Sequence, residues 1–172
     1  MPAKDVTLIG NFTKKDVVTV TFKLDGGTYQ GETKDVVYKV YKNEGLKANQ
    51  TVPVPTKTGY TFKNFPGFKA NDTYAKDTVY TADWTINNYQ VTYTVEQGIP
   101  YKGDLPAVST VNYNSDVKLS QALSLEGYTF DGWTTADATI DNDSFKMPAK
   151  DVTLIGNFTK KDVVTVTFKL DG

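Results

Sequence analysis

Asp137, Asp141 and Asp143 crowd one short stretch of this 172-residue chain. Hard carboxylate oxygens at that density are the ligands Ca²⁺ takes. The spacing is not that of an EF-hand loop, which needs alternating ligands, a central Gly and a terminal Glu. We read the stretch as a solvated loop without a metal. Paired carboxylates for glycoside hydrolysis would have to face one cleft, and nothing here marks such a pair. The aromatics Tyr60, Phe62, Phe65, Phe68, Trp84 and Tyr128, Phe130, Trp133, Phe158 are the other chemically suggestive group. They would suit a sugar-stacking platform. They also suit a small module that buries little surface, because large aromatics supply the most apolar area per residue. Their recurrence at matching places favours core packing.

The missing residue types exclude more than the present ones suggest. There is no Cys, no His and no Arg. That removes thiolate and imidazole ligation of zinc, haem or iron–sulfur groups. It also removes the commonest general base and every triad built on His. Without Arg there is no bidentate fork for phosphate or guanine. Net charge is −1 with Lys spread among Asp, so no basic stripe marks nucleic acid or anionic lipid. No apolar run approaches the ~20 residues of a membrane span. We assign no catalytic, cofactor-binding or metal residues, expect no cofactor, and read the chain as no enzyme, binding neither nucleic acid nor membrane.

Two modifications remain to be weighed. Asn11-Phe12-Thr13, Asn157-Phe158-Thr159 and Asn71-Asp72-Thr73 match the N-glycosylation pattern, a frequent accident in a Thr-rich chain. If Phe12 and Phe158 face a core, the neighbouring Asn faces solvent by alternation. An isopeptide crosslink would need a buried Lys, its partner and a catalytic carboxylate together. Only Glu32, Glu44, Glu96 and Glu126 supply Glu, and no Lys is isolated among apolar residues, so we expect none.

The elements that would position these residues come from repetition. Residues 1–26 and 147–172 are identical, a match that cannot arise by chance and that marks a tandem repeat with a period of 146 residues. Within the period Gly59-Tyr60-Thr61-Phe62 recurs as Gly127-Tyr128-Thr129-Phe130. Lys76-Asp77-Thr78-Val79 recurs as Lys150-Asp151-Val152-Thr153, the two runs ending on Trp84 and Phe158. The unit is therefore two diverged modules of roughly 73 residues each.

Alternation of β-branched and aromatic residues predicts strands. In the first module these are Val17–Leu24, Asp35–Tyr41, Thr51–Val54, Tyr60–Phe62 and Thr78–Trp84. In the second they are Tyr89–Glu96, Ala107–Tyr113, Val117–Leu119, Tyr128–Trp133 and Val152–Phe158. Only Leu119–Leu125 has room for a turn or two of helix, stopped by Gly127. The links Thr85–Asn88 and Thr159–Asp162 contain no Gly, Pro or Ser, so they are not flexible tethers. The expected division is 1–16, trailing strand of a preceding repeat; 17–86, first β-rich module; 87–162, second; 163–172, first strand of the next repeat. The expected fold is mainly β, or α+β with very little helix, as two small modules in an elongated tandem. Met1 opens a repeat copy rather than a charged-then-apolar leader, so we read no signal peptide there.

Gly127-Tyr128-Thr129-Phe130-Asp131-Gly132-Trp133, followed by Phe145-Lys146-Met147-Pro148-Ala149-Lys150-Asp151-Val152-Thr153-Leu154, resembles the Listeria–Bacteroides (internalin B-repeat) family. The stretch Tyr89–Tyr113 is similar to the streptococcal high-identity tandem repeats, the SHIRT domains. The first module departs from the pattern, with Asn64-Phe65 in place of Gly-Trp and Thr73-Tyr74-Ala75 in place of Met-Pro-Ala. The resemblance implies a β-grasp-like or mainly β module in a secreted or wall-anchored bacterial surface protein, and no catalytic residues. The implied role is a stalk repeat of an adhesin, monomeric, whose partners are the neighbouring repeats and which holds a distal binding domain off the cell. The alternative is a repeat that itself binds host glycan, mucin or protein.

Overall fold

A computed structural model describes residues 5, 7 and 9–169. Part of the expected trailing strand and the end of 163–172 lie outside the described residues. Contacts divide the chain into two compact units, Met1–Lys57 with Phe62–Trp84, and Thr58–Thr61 with Thr85–Gly172. The described residues contain strands and turns but no helix. None therefore forms a helix long and apolar enough to cross a membrane.

Strand β1 (Val17–Lys23) is built on strict alternation. Val18, Val20 and Phe22 point inward while Val17, Thr19, Thr21 and Lys23 point out, as a period of two requires. It pairs antiparallel with β2 (Val36–Tyr41), Val18 opposite Val40 and Phe22 opposite Val36. β3 (Tyr60–Asn64) follows, then β4 (Thr78–Thr81) and β5 (Asp83–Ile86). β4 lies parallel to β1, Val20 opposite Thr78 and Phe22 opposite Tyr80, giving a sheet ordered β2-β1-β4, while β3 pairs with β5. The core gathers Val18, Val20, Phe22, Val40, Phe65, Tyr74, Tyr80 and Ala82.

The second unit repeats the scheme. β6 (Asn88–Val95) and β7 (Ser109–Asn112) form the antiparallel pair, and β11 (Val152–Lys160) runs parallel to β6. β9 (Tyr128–Thr134) adds beyond β11, so the sheet is ordered β7-β6-β11-β9. β8 (Asp116–Lys118) and β10 (Ser144–Lys146) make a short separate pair. Val91, Val117, Trp133, Phe145, Met147, Val152 and Leu154 form the core.

The register of β9 shifts between its pairings with Asn157 and Phe158, so that Asp131 has no opposite number. This bulge, with Gly132 at a φ of 115°, breaks the period of two. Phe130 and Trp133, three residues apart, can then turn to the same face and meet at 5.3 Å. Because the extra residue sits on β9, the alternation of β11 is undisturbed and Val152, Leu154 and Phe158 all point inward.

Several expected elements differ. Leu119–Leu125 is not helical. So short a helix carries the full nucleation cost for few bonds, and here the carbonyl of Ser120 accepts from Trp133 Nε1 at 3.0 Å. Thr51–Val54 is not a strand, since Pro53 lacks a ladder donor and is instead fully buried. The run Thr78–Trp84 is divided at Ala82 between β4 and β5. Ala107–Tyr113 shrinks to β7, and β10 was not foreseen.

Candidate functional site

The aromatic sets pack inward. Phe22 meets Phe65 at 4.9 Å and Phe68 at 5.5 Å, and Phe62 meets Trp84 at 5.5 Å. In the second unit Phe130 joins Phe158 at 5.2 Å. Most are edge-to-face, the geometry aromatic quadrupoles prefer. Trp84 is half-buried over its core, with Lys57 Nζ 5.5 Å from its ring centre. Its indole N–H is buried and meets no acceptor among the described residues. None of the platform candidates assembles into a displayed aromatic face.

The acidic stretch is likewise put to structural use. Asp137 accepts from Lys150 Nζ at 2.8 Å and from the Thr153 backbone N–H at 3.1 Å. The Lys150 hydrogen bond first, and the Thr153 amide second, hold its carboxyl below the usual carboxylate range. Asp141 exchanges backbone bonds with Ser144 at 2.8 and 3.0 Å, closing a turn over Asn142 and Asp143, both at positive φ. The Asp143 carbonyl accepts from Leu119 N–H at 2.9 Å. Among the described residues no three acidic groups are disposed to hold one metal ion.

Asn157 is not simply turned to solvent. Its amide Nδ2 donates to Gly132 O at 3.2 Å, Thr134 Oγ1 at 2.9 Å and Ile155 O at 3.0 Å, stapling β11 to the bulge of β9. Asn71 is exposed. No lysine among the described residues is buried, and Glu44 is ion-paired with exposed Lys15, whose ammonium pKa is raised by that hydrogen bond.

A function of the repeated Lys-Asp pair escaped the sequence reading. Asp77 Oδ1 accepts from the Thr19 backbone N–H at 2.7 Å, and Asp151 Oδ1 from the Gln90 N–H at 2.8 Å. In both units the carboxylate just before the strand that lies parallel to the first, β4 or β11, reaches that first strand of the sheet. The Thr19 amide holds the Asp77 carboxyl below its ordinary range. The recurrence of Lys-Asp at the two positions was the available signal. Its partner could not be named without the fold.

The surface depressions are open grooves. In the first unit one of about 610 Å³ is lined by Tyr29, Gln30, Glu32, Lys34, Tyr38 and Asn49 among others. In the second, one of about 520 Å³ is lined by Asp116, Asp141, Asn142, Ser144 and Lys146 among others. There Lys146 Nζ and Asp116 are ion-paired at 2.9 Å. The Ser144 hydroxyl in the second groove donates to the Asp141 backbone carbonyl at 2.9 Å.

With these two similar units in view, the chain's kinship is decided by a match to the Listeria-Bacteroides repeat domain over residues 19–87 and again over 89–156. The chain belongs to the Listeria-Bacteroides repeat family. It is 31% identical over 159 residues to Internalin H of Listeria monocytogenes serovar 1/2a (strain ATCC BAA-679 / EGD-e), a stretch covering 86% of this chain and 26% of that protein. The chain thus spans about a quarter of that relative. Among solved structures it is similar to Streptococcal High Identity Repeats in Tandem (SHIRT) domains 3-4 from a cell surface protein, at 20% identity and a TM-score of 0.32, covering 82% of this chain and 96% of that one. As a tandem, mainly β member of the Listeria-Bacteroides repeat family, the chain holds one match for each of its two related sheets.

Proposed function

We propose that this chain is a stretch of stalk in a bacterial cell-surface adhesin, a spacer that carries a distal binding domain away from the cell. The carrying observation is the identity of residues 1–26 with 147–172. Identical copies let recombination change copy number, and a spacer is the kind of element for which copy number is itself the functional variable. The family and the similarity to Internalin H support a surface location, extracellular and either wall-anchored or secreted. Inward-packed aromatics support a structural role over an aromatic display. In this reading the division into 1–16, 17–86, 87–162 and 163–172 follows the repeats. The modules act as monomers whose partners are the neighbouring repeats, and no catalysis, cofactor or metal is involved.

The test is to display one, two and four 146-residue units beneath a reporter domain on a cell surface. Reporter height should grow linearly with copy number, and so should the maximum dimension in X-ray scattering. Growth as the square root of copy number would indicate a flexible string instead.

A second reading, that the repeat itself binds host glycan, mucin or protein, draws on the polar groove around Tyr29, Glu32 and Tyr38. Repetition would then supply avidity. Glycan-array binding lost in Tyr29→Ala and Tyr38→Ala would favour it over the spacer.

A further inference from the structure

In each unit, the strand that begins the sheet lies directly beside the strand that ends it, and the two run parallel. β1 and β4 are in register from Val20 opposite Thr78 to Lys23 opposite Thr81. β6 and β11 are in register from Val91 opposite Val152 to Val95 opposite Gly156. This arrangement fixes how tension would cross the module. A pull on the two chain ends enters each seam at the upstream end of its first strand and leaves at the downstream end of its second, in the first unit by way of β5, which is paired with β3. For parallel neighbours those points lie at opposite ends of the shared ladder, so the strands must slide past each other. Every cross-strand bond is then loaded at once. In an antiparallel pair such as β1 and β2, pulled where Val17 faces Tyr41, the bonds would open one after another.

Both seams are lengthened beyond the regular ladder at each mouth. Upstream, the Asp77 carboxylate takes the Thr19 N–H at 2.7 Å and the Asp151 carboxylate takes the Gln90 N–H at 2.8 Å. These are charge-assisted bonds, stronger than neutral ones. Downstream, Ala82 N–H donates to Lys23 O at 2.9 Å and Glu96 N–H to Gly156 O at 3.0 Å. Across the second seam Thr92 and Thr153 add a hydroxyl pair at 3.1 Å. Beneath each seam the inward side chains, Val20 and Phe22 in one and Val91, Val152 and Leu154 in the other, are completely buried. Sliding would drag them out of their cores.

We propose that the β1–β4 and β6–β11 seams are shear clamps, latched by Asp77 and Asp151, that keep each module folded when its two ends are pulled apart. The proposal deepens the spacer reading by giving the stalk a mechanical function, resistance to traction on whatever its tip holds. Forced unfolding is governed by the unfolding rate, so the clamp is a kinetic device that equilibrium melting does not report.

The experiment is single-molecule force spectroscopy on the whole chain. It contains no cysteine, so thiol handles can be placed at will. Gly10→Cys with Thr165→Cys loads both units end to end. Thr13→Cys with Lys42→Cys peels β1 from β2. End-to-end loading should give two unfolding events at forces several-fold above the peeling force. Asp77→Ala should lower one of them and Asp151→Ala the other, with Asp→Asn, which keeps an acceptor oxygen, intermediate. The peeling force should not move in Asp77→Ala. Equal forces in the two directions, or an Asp77→Ala loss that is the same in both, would overturn the clamp. Reach that scales with copy number would in that case leave the spacer standing. Conversely, directional strength without such scaling would keep the clamp and sink the spacer.

Discussion

Phe12 and Phe158 are the same residue in two copies of one 26-residue sequence, yet Phe12 is 97% exposed and Phe158 is 7% exposed. The difference is entirely one of partners. Phe158 sits on β11 between β6 and β9, whereas residues 9–16 form no strand. The other half of the repeat shows the reverse. Phe22 on β1 is fully buried, while its twin Phe168 is 87% exposed. Phe158→Ala should therefore cost about 3–5 kcal/mol, and Phe12→Ala should stay within about 0.5 kcal/mol of zero. Urea unfolding of the two variants checks this with chemistry and local sequence held constant.

The same asymmetry should appear in deletions. Removing residues 1–14 should leave the melting of both units nearly unchanged. Removing 149–162 takes out β11, the strand that joins β6 to β9, and should unfold the second unit. Circular dichroism with tryptophan emission follows each. Damage from the upstream deletion instead would mean that the first module begins near Met1.

Acid should weaken the fold through specific carboxylates. The Asp77 and Asp137 carboxyls are held below their ordinary value of 3.8, the first by the Thr19 amide, the second by Lys150. As pH falls, the unfolded chain therefore takes up these protons first. Their stabilisation is full above the ordinary value and is lost as pH drops through the lower folded-state value. Asp77→Asn and Asp137→Asn should flatten the fall of melting temperature below about pH 4. An unchanged acid slope in both variants would contradict the assignment.

The two tryptophans should differ. Trp133 donates its indole N–H to Ser120 O at 3.0 Å, whereas the buried Trp84 N–H meets no acceptor among the described residues. Trp133→Phe strands a carbonyl and Trp84→Phe removes an unpaired donor. The former should be more costly by about 1 kcal/mol. Equal losses on urea unfolding would refute the difference.

Trp84 also sets a limit on its neighbour. A Cβ on Gly27 would lie 2.6 Å from Trp84 Cζ2 and 3.1 Å from Leu24 O. The ring must shift and the backbone cannot. Gly27→Ala should cost about 1–3 kcal/mol as an overpacked site and alter the emission of Trp84. Gly31, whose Cβ would meet nothing within 4 Å, sits at a φ of 83°. Alanine there meets only backbone strain.

By itself the sequence determined the class of structure and the repetition. Alternation marked Val17–Leu24 and Val152–Phe158 as strand-forming, because side-chain direction along a strand is a local property, yet residues 163–169, which repeat 17–23, form no strand. The recurring Gly-Tyr-Thr-Phe and Lys-Asp pairs revealed two related modules, and missing Cys, His and Arg limited the available chemistry. The fate of Leu119–Leu125 was decided only in three dimensions. A weak local preference for helix yielded to Trp133, which claims the Ser120 carbonyl. The bulge at Asp131 is a relation between β9 and β11, so Phe130 and Trp133 sharing a face could not be read from spacing alone. Asp77 and Asp151 stood in the chain only as members of a recurring Lys-Asp pair. Only the parallel closing of each sheet brings Thr19 and Gln90 within their reach, across separations of 58 and 61 residues. Partners so distant in sequence leave no local pattern, so which copy of a duplicated strand is buried is settled by the strands beside it.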